Sequence, residues 1–379
     1  ADSYATNWLS WWAGDTLGIL VFLPIGLLNP WRPWTVFWSG RPFTGFSFST
    51  LIMLAVPLLG TFGTWEAASR LTYAHNAENF AAMTKDNLQA LQARLNSYKQ
   101  ALDGGAGFFD ASDRITAPEW RSYVESLDIE TSLPGISGIG FIEPVEEGDL
   151  DLYPRLVMAD GVVDLEIHPD GDRFGNFIIK YIEPLEPNGA ALGLNIGFER
   201  NRFEAAVHAR DTGRATISRR ILLVQDETES AGFLLLRPLY TGNPAFLRTE
   251  EARKVAFRGW LYAPFVAPRF LDSLTSSQAK DFHVRIYDGA FKSDGDLIYA
   301  TAAARRKADY SIEMTLPVME QVWTIVWEST PHYEQTVTAR TPMIVLVAGL
   351  ALSFMFGALL LMFTRREETV QSIVAAKTR

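Results

Sequence analysis

The run PMIVLVAGLALSFMFGALLLMF, Pro342 to Phe363, carries no charged residue. At about 1.5 Å per residue, a helix over it matches a hydrocarbon core ~30 Å thick. A soluble core helix of this length would show a polar face, and this one shows none, so the run predicts a membrane span. Working outward, Phe46 to Trp65 is a second apolar run, interrupted at Pro57, which a membrane helix tolerates better than a soluble one. Trp8 to Leu28 is a third, weaker candidate that carries Asp15, costly in lipid unless it faces protein or water. Trp8, Trp11, Trp12, Trp31, Trp34 and Trp38 flank it as an aromatic belt would. Arg32 and Arg41 stand in the 29–45 loop without an acid, and Arg365 and Arg366 follow the last run directly. Both places read as cytoplasmic, which puts the N-terminus and the 66–339 block outside. The expected fold class is therefore an α+β membrane protein, with transmembrane helices flanking an extracytoplasmic block.

Composition narrows the function. Lys and Arg number 34 against 44 Asp and Glu, a net charge of −10, so nucleic acid is not an expected partner. The absence of Cys excludes disulfides, thiolate catalysis and zinc–sulfur sites. His75, His168, His208, His283 and His332 are scattered with no metal-ligand spacing. His168-Pro-Asp-Gly-Asp lacks the alternating oxygens and closing Glu of a calcium loop and reads as a turn. Neither a phosphate loop nor a Gly-x-Ser-x-Gly elbow is present. No catalytic residue, metal or cofactor is expected.

Within the outer block, Glu66 to Leu102 contains no Pro and no Gly. Leu88, Leu91, Leu95, Tyr98 and Leu102 follow a 3-4-3-4 heptad rhythm, which runs backward through Thr84, Ala81, Ala77 and Ala74. A stalk helix over 66–103 follows, stopped by Asp103-Gly104-Gly105. Its seam serves either its own domain or a dimer partner. Thr116-Ala-Pro-Glu119 is a capping box with Pro in the first turn of a helix. Strands are expected at Ile136–Ile142, Tyr153–Val157, Val162–Ile167, Phe177–Ile182, Ala215–Val224 and Gly232–Tyr240, with a helix over Glu199–Arg210. The turn-rich stretch Tyr240 to Glu251 reads as a domain boundary. Beyond it come a strand at Gly259–Pro264, a helix at Pro268–Ser276, and strands at Phe282–Asp288, Leu297–Ala302, Tyr310–Leu316 and Gln321–Ser329.

The order of several short motifs is informative. Gly104-Gly105…Phe108-Phe109, Pro118-Glu119-Trp120-Arg121, Gly138-Ile139-Gly140-Phe141, Tyr181-Ile182-Glu183-Pro184, Ala209-Arg210-Asp211-Thr212-Gly213, Arg237-Pro238-Leu239-Tyr240 and Gly259-Trp260-Leu261-Tyr262-Ala263-Pro264-Phe265 together resemble the CHASE domain. CHASE domains are the extracytoplasmic sensors of bacterial histidine kinases and diguanylate cyclases and of plant cytokinin receptors. The resemblance covers about 85–335. It implies a long helix followed by two PAS-like modules, here 104–240 far from the membrane and 241–335 near it. Residues 341–364 would then be the exit span and 365–379 the start of a cytoplasmic signalling helix. Trp11-Trp12-Ala-Gly14-Asp15…Leu17-Gly18…Leu23-Pro24 resembles the end of a MASE-type membrane domain, so 1–65 would hold two membrane helices. The parent protein is expected to sit in a bacterial inner membrane, multi-pass, with its sensor periplasmic, and to act as a homodimer through stalk and signalling helices.

In the family, ligands bind the distal module, between its sheet and the helix after the Tyr-Ile-Glu-Pro strand. Cytokinin receptors place an Asp in that helix. Counting back from Ala209-Arg210-Asp211-Thr212-Gly213, Arg202 stands there, and Leu236 replaces a Thr on a following strand. Both departures argue against cytokinin and favour an acidic or apolar small molecule. The implied ligand residues are Tyr181, Asn195, Phe198, Arg202, Arg220, Val224 and Leu236. A ligand-driven receptor feeding a kinase or cyclase output is the first functional reading. A membrane-anchored binding or scaffold protein signalling through a separate chain is the second.

Overall fold

The structure is a computed structural model that describes residues 48–377, apart from 170, 172, 225–229, 276–279, 302–307 and 338–339, together with Asp15 and a short strand pair at Phe37–Trp38 and Arg41–Pro42. The Trp8–Leu28 candidate span and the MASE-like motif lie outside the described residues. Two compact units emerge: the two chain ends together, Ala1–His75 with Ala339–Arg379, and the segment Asn76–Thr338. Besides two four-residue turns, Ile129–Ser132 and Leu185–Asn188, the described α-helices are α1 (Phe48–Asp110), α2 (Ala117–Ser126), α3 (Tyr153–Met158), α4 (Arg200–Thr212), α5 (Glu250–Ala256), α6 (Ala267–Thr275), α7 (Pro331–Val337) and α8 (Arg340–Lys377). The strands outside the chain ends are β1 (Ile139–Pro144), β2 (Phe177–Glu183), β3 (Thr216–Ile217), β4 (Ile221–Leu222), β5 (Ala231–Tyr240), β6 (Phe257–Val266), β7 (Phe282–Asp288), β8 (Leu297–Ala300), β9 (Ser311–Val318) and β10 (Gln321–Ser329). The chain is thus a mixed α and β protein.

In the unit of the chain ends, one helix among the described residues is long and apolar enough to cross a membrane: Thr341–Leu360, mean hydropathy 2.5 and 11% buried. The first part of α1 packs on it. A Cβ on Gly349 would fall 2.4 Å from Thr61 Cγ2, and one on Gly357 would fall 2.8 Å from Leu54 Cδ2. The hydroxyls of Thr61 and Ser353 sit 3.2 Å apart. Gly349, Ser353 and Gly357 recur every fourth residue, the small-residue spacing that lets membrane helices approach closely. Outward from this seam Leu59, Phe62, Phe354 and Met355 are exposed, as lipid-facing side chains would be.

In the other unit, α1 buries Asn76, Phe80, Thr84, Asn87, Leu91, Leu95, Tyr98, Leu102, Ala106 and Phe109. This is a 4-4-3 rhythm rather than the heptad expected. A heptad stripe drifts by about 20° per repeat on a straight helix, whereas the 4-4-3 repeat, about 3.67 residues per turn, holds its face. Phe80 and Asn76 therefore take the places read as Ala81, Ala77 and Ala74, and the seam is used within the chain. The helix also does not stop at Asp103-Gly104-Gly105 but continues to Asp110. A Cβ at Gly105 would lie 3.0 Å from Leu261 Cδ1 and 3.4 Å from the Trp120 ring, so these glycines provide close approach rather than a cap. Asp103 itself accepts from Lys99 and Arg237, fastening the helix to β5.

The larger sheet runs β2-β1-β6-β5-β3, all antiparallel, with β4 also on β5. A second sheet runs β8-β7-β10-β9, also antiparallel. The boundary expected near 241 is displaced. β6 is a central strand of the first sheet, paired with β5 from Gly232↔Val266 to Leu239↔Gly259 and with β1 on its other edge. The turn-rich 241–249 stretch and α5 connect two neighbouring strands; a hairpin connection and a domain linker look alike in composition. Ring contacts such as Phe233 to Trp323, 5.3 Å between centroids, carry one core from the first sheet into the second. Two expected strands are absent. Tyr153–Val157 is helical, with Pro154 in the first turn and Tyr153 and Val157 buried at i,i+4. Within 162–167 the left-handed Asp164 (φ 57°) breaks extension. The run 215–224 is split into β3 and β4.

Candidate functional site

The first sheet has two covered faces. One carries Phe141, Tyr181, Leu235 and Leu261 and packs on the core shared with α1 and α2. The other carries Ile142, Phe177, Ile179, Leu234, Leu236, Trp260 and Tyr262 and is covered by α4 and the segment before it. α4 closes on this face because Ala205, Ala206 and Ala209 present minimal side chains at i, i+1 and i+4. Trp260 donates its indole N–H to Ala206 O at 2.9 Å. On the sheet side, Gly140 leaves room for Tyr262: a Cβ there would meet Tyr262 Cε1 at 2.5 Å.

One polar group interrupts this apolar layer. Arg202, in the first turn of α4, is 2% exposed. Its guanidinium donates to Leu222 O and lies 5.2 Å over the Phe198 ring, but its Nε has no partner. Its nearest carboxylate, Glu199, stands 3.9 Å away and is already occupied as the helix cap, accepting from Asn201 N and Arg202 N. Burial lowers the guanidinium's pKa, partly opposed by Glu199 and the Tyr262 phenol. The first turn of a helix is also the positive end of its dipole, so this cation stands against both desolvation and the dipole. Tyr262, 1% exposed, has a hydroxyl without a hydrogen-bond partner, and burial pushes that phenol well up while Arg202 pulls it back. Asn195 Nδ2 is a further buried donor without an acceptor. Three buried donors on this one covered face therefore stand without an acceptor.

The expected site residues divide. Arg202 and Leu236 belong to this face, and Phe198 is half-buried under the guanidinium. Asn195 is buried there too, with Oδ1 accepting from Phe177 N at 3.0 Å and Gly197 N at 2.9 Å, so half of its amide is structural. Tyr181 projects to the opposite face and donates to Ile115 O at 2.8 Å. Arg220 reaches the second sheet: its N–H donates to Asp288 and its Nη1 to Gly295 O at 3.1 Å. Val224 is 42% exposed. Tyr262 and Trp260 are the residues that sequence reasoning missed. The alternation Trp260-Leu-Tyr262 did announce one shared strand face, but that strand was read into the other module.

A family model for the CHASE domain matches residues 113–299. Residues 113–299 of this chain are a CHASE domain. The domain is of the class that membrane receptors use for sensing outside the cell. No curated protein is a match for the chain.

Proposed function

We propose that the chain is the sensing part of a transmembrane receptor, and that its ligand is a small anion with an apolar body, bound between α4 and the first sheet. The observation that carries this reading is Arg202: a buried cation at the positive end of a helix, with Nε free and the unpartnered Tyr262 hydroxyl on the same face. A carboxylate or phosphate there accepts from both and relieves a charge that Glu199, 3.9 Å away, only partly compensates. Leu236, Trp260 and Phe198 supply the apolar surroundings, and Asn195 Nδ2 a further donor. This departs from a cytokinin-type site, which reads a neutral base.

Occupancy would then set the position of α4 against the sheet and, through the shared core, bias α1 and α7 at the membrane end of the domain. Asn76 supports such coupling, since it donates to Val337 O at 2.9 Å and accepts from the Tyr333 hydroxyl at 2.9 Å. We place the domain in the periplasm of a multi-pass inner-membrane receptor, paired with a second copy and read out by a histidine kinase or diguanylate cyclase. Because the α1 seam is used within the chain, that pairing involves other faces of the helix. The test is a thermal-shift panel on the detergent-solubilised chain with aromatic and aliphatic carboxylates, organophosphates and their neutral amides or alcohols. A saturable rise in Tm confined to anions supports the reading, and hits confined to neutral compounds refute it.

A further inference from the structure

At the end of the first sheet, by the C-terminal end of α4 rather than its N-terminal turn, a groove of about 850 Å³ opens between the C-terminal turns of α1 and α4, the end of β5 and the start of β6. Three arginines line it, and each is held by main-chain carbonyls. Arg253 donates from Nε to Asp211 O at 2.7 Å and from Nη1 to Leu247 O at 2.9 Å. Arg258 donates to Phe109 O at 3.2 Å with its charge 5.1 Å over the Phe109 ring. Arg237 donates to Pro238 O at 2.7 Å and to Asp103 at 2.7 Å. Among the described residues, Arg253 and Arg258 have no carboxylate within ion-pair distance. Carbonyls fix the geometry of a guanidinium without neutralising it, so two full charges are presented already oriented. Tyr240 shares the wall; its phenol is raised to about 12, burial outweighing the opposing pull of Arg253 and Arg237. Asp110 and Asp113 line the same groove but are exposed, where water screens them.

We propose that this groove is a second binding site, distinct from the Arg202 face, for a small oxyanion-bearing ligand: a phosphate or a short dicarboxylate. The two sources share the planar recognition that paired guanidiniums provide. Because the end of α1 forms one wall, an occupant bridging Arg258 to Arg253 or Arg237 fastens that helix end to the sheet and to α5. The site thereby adds a second input to the same helix. The inference stands without the ligand assignment above.

Isothermal titration calorimetry on the detergent-solubilised chain tests it, with inorganic phosphate in one arm and succinate in the other. Saturable binding of at least one anion is expected, weakened at least about tenfold by Arg258→Gln and by Arg253→Gln. The arm that binds identifies the source. Arg258→Gln removes one carbonyl bond and the Phe109 ring contact, against two carbonyl bonds for Arg253→Gln, so it guards against a folding defect in the latter. Arg202→Ala removes any contribution of the Arg202 face, and the groove component of the isotherm is read in that background. Absence of saturable binding in both arms overturns the proposal, as does binding that survives Arg258→Gln and Arg253→Gln or is lost only in Arg202→Ala.

Discussion

Lys180→Met tests how the first sheet's outer edge is held. The Lys180 ammonium lies 2.9 Å from Asp160 and 3.1 Å from Glu143, on a side chain 12% exposed. Asp160 also pairs with Arg114, and its main-chain oxygen accepts from Ala117 N at 2.7 Å at the start of α2. Glu143 accepts from the Tyr153 hydroxyl at 2.8 Å, which brings in α3. One ammonium therefore joins β2, β1, α2 and α3. Removing one partner of a buried pair costs roughly 3–5 kcal/mol. Here Arg114 remains and Glu143 is partly hydrated, so the expected loss is about 2–3 kcal/mol. The pH dependence has a definite sign. Burial alone would raise the Asp160 carboxyl, but Lys180 and Arg114 outweigh it and hold it below the ordinary range. A lowered carboxylate pKa stabilises the fold above about pH 4 and ceases to do so as pH falls through the folded value. The difference between wild type and Lys180→Met should thus be full at pH 7 and shrink on acidification. Urea unfolding followed by tryptophan fluorescence at pH 7, 5 and 3.5 measures it. A loss under about 0.5 kcal/mol at pH 7, or a difference that grows toward acid, refutes the reasoning.

Three further outcomes follow from contacts of the same kind. Gly140→Ala puts a Cβ 2.2 Å from Tyr181 O and 2.5 Å from Tyr262 Cε1, and since backbone cannot yield, urea unfolding should show a loss of about 3 kcal/mol or more. Asn87→Ala strands the Trp327 indole N–H, now donating to Asn87 Oδ1 at 3.2 Å in the core; a drop of roughly 1–3 kcal/mol is expected, with a shifted Trp emission maximum. Because the chain has no Cys, Thr61→Cys with Ser353→Cys makes a clean pair, and it should cross-link readily in detergent. Adding Gly349→Leu, which would drive into Thr61, should abolish that cross-link.

Local chemistry was readable from the sequence where a single mechanism dominates. The capping box at Thr116 and Glu119 is present, with the Glu119 carboxylate accepting from Thr116 N at 2.8 Å. Gly213 ends α4 with φ 74°, as a left-handed C-cap should. Arg202 was singled out from sequence through its departure from the family pattern, and it is buried in the structure. What sequence could not give was long-range pairing. β6 was read into the second module because nothing local says that a strand after a turn-rich stretch returns to the sheet it left. That error hid Tyr262 and Trp260, and with them half of the candidate site. Gly104 and Gly105 misled for a related reason: glycine serves both as helix stop and as close contact, and only the Leu261 and Trp120 side chains opposite decide which. Tyr181 was assigned to the wrong sheet face because the register shift between β1 and β2 after Phe141 changes which residues look toward α4.

The central claim is that Arg202 is kept buried and partly unpartnered for the sake of an anion. Thermal melting of wild type and Arg202→Met, each with and without the best anionic hit from the panel, tests it most directly. Replacing a buried, only partly compensated cation by an apolar side chain of similar length removes a desolvation penalty, so the empty variant should melt at or above the wild type while the ligand-induced shift disappears. An empty variant that melts well below the wild type yet keeps the ligand shift would contradict the account.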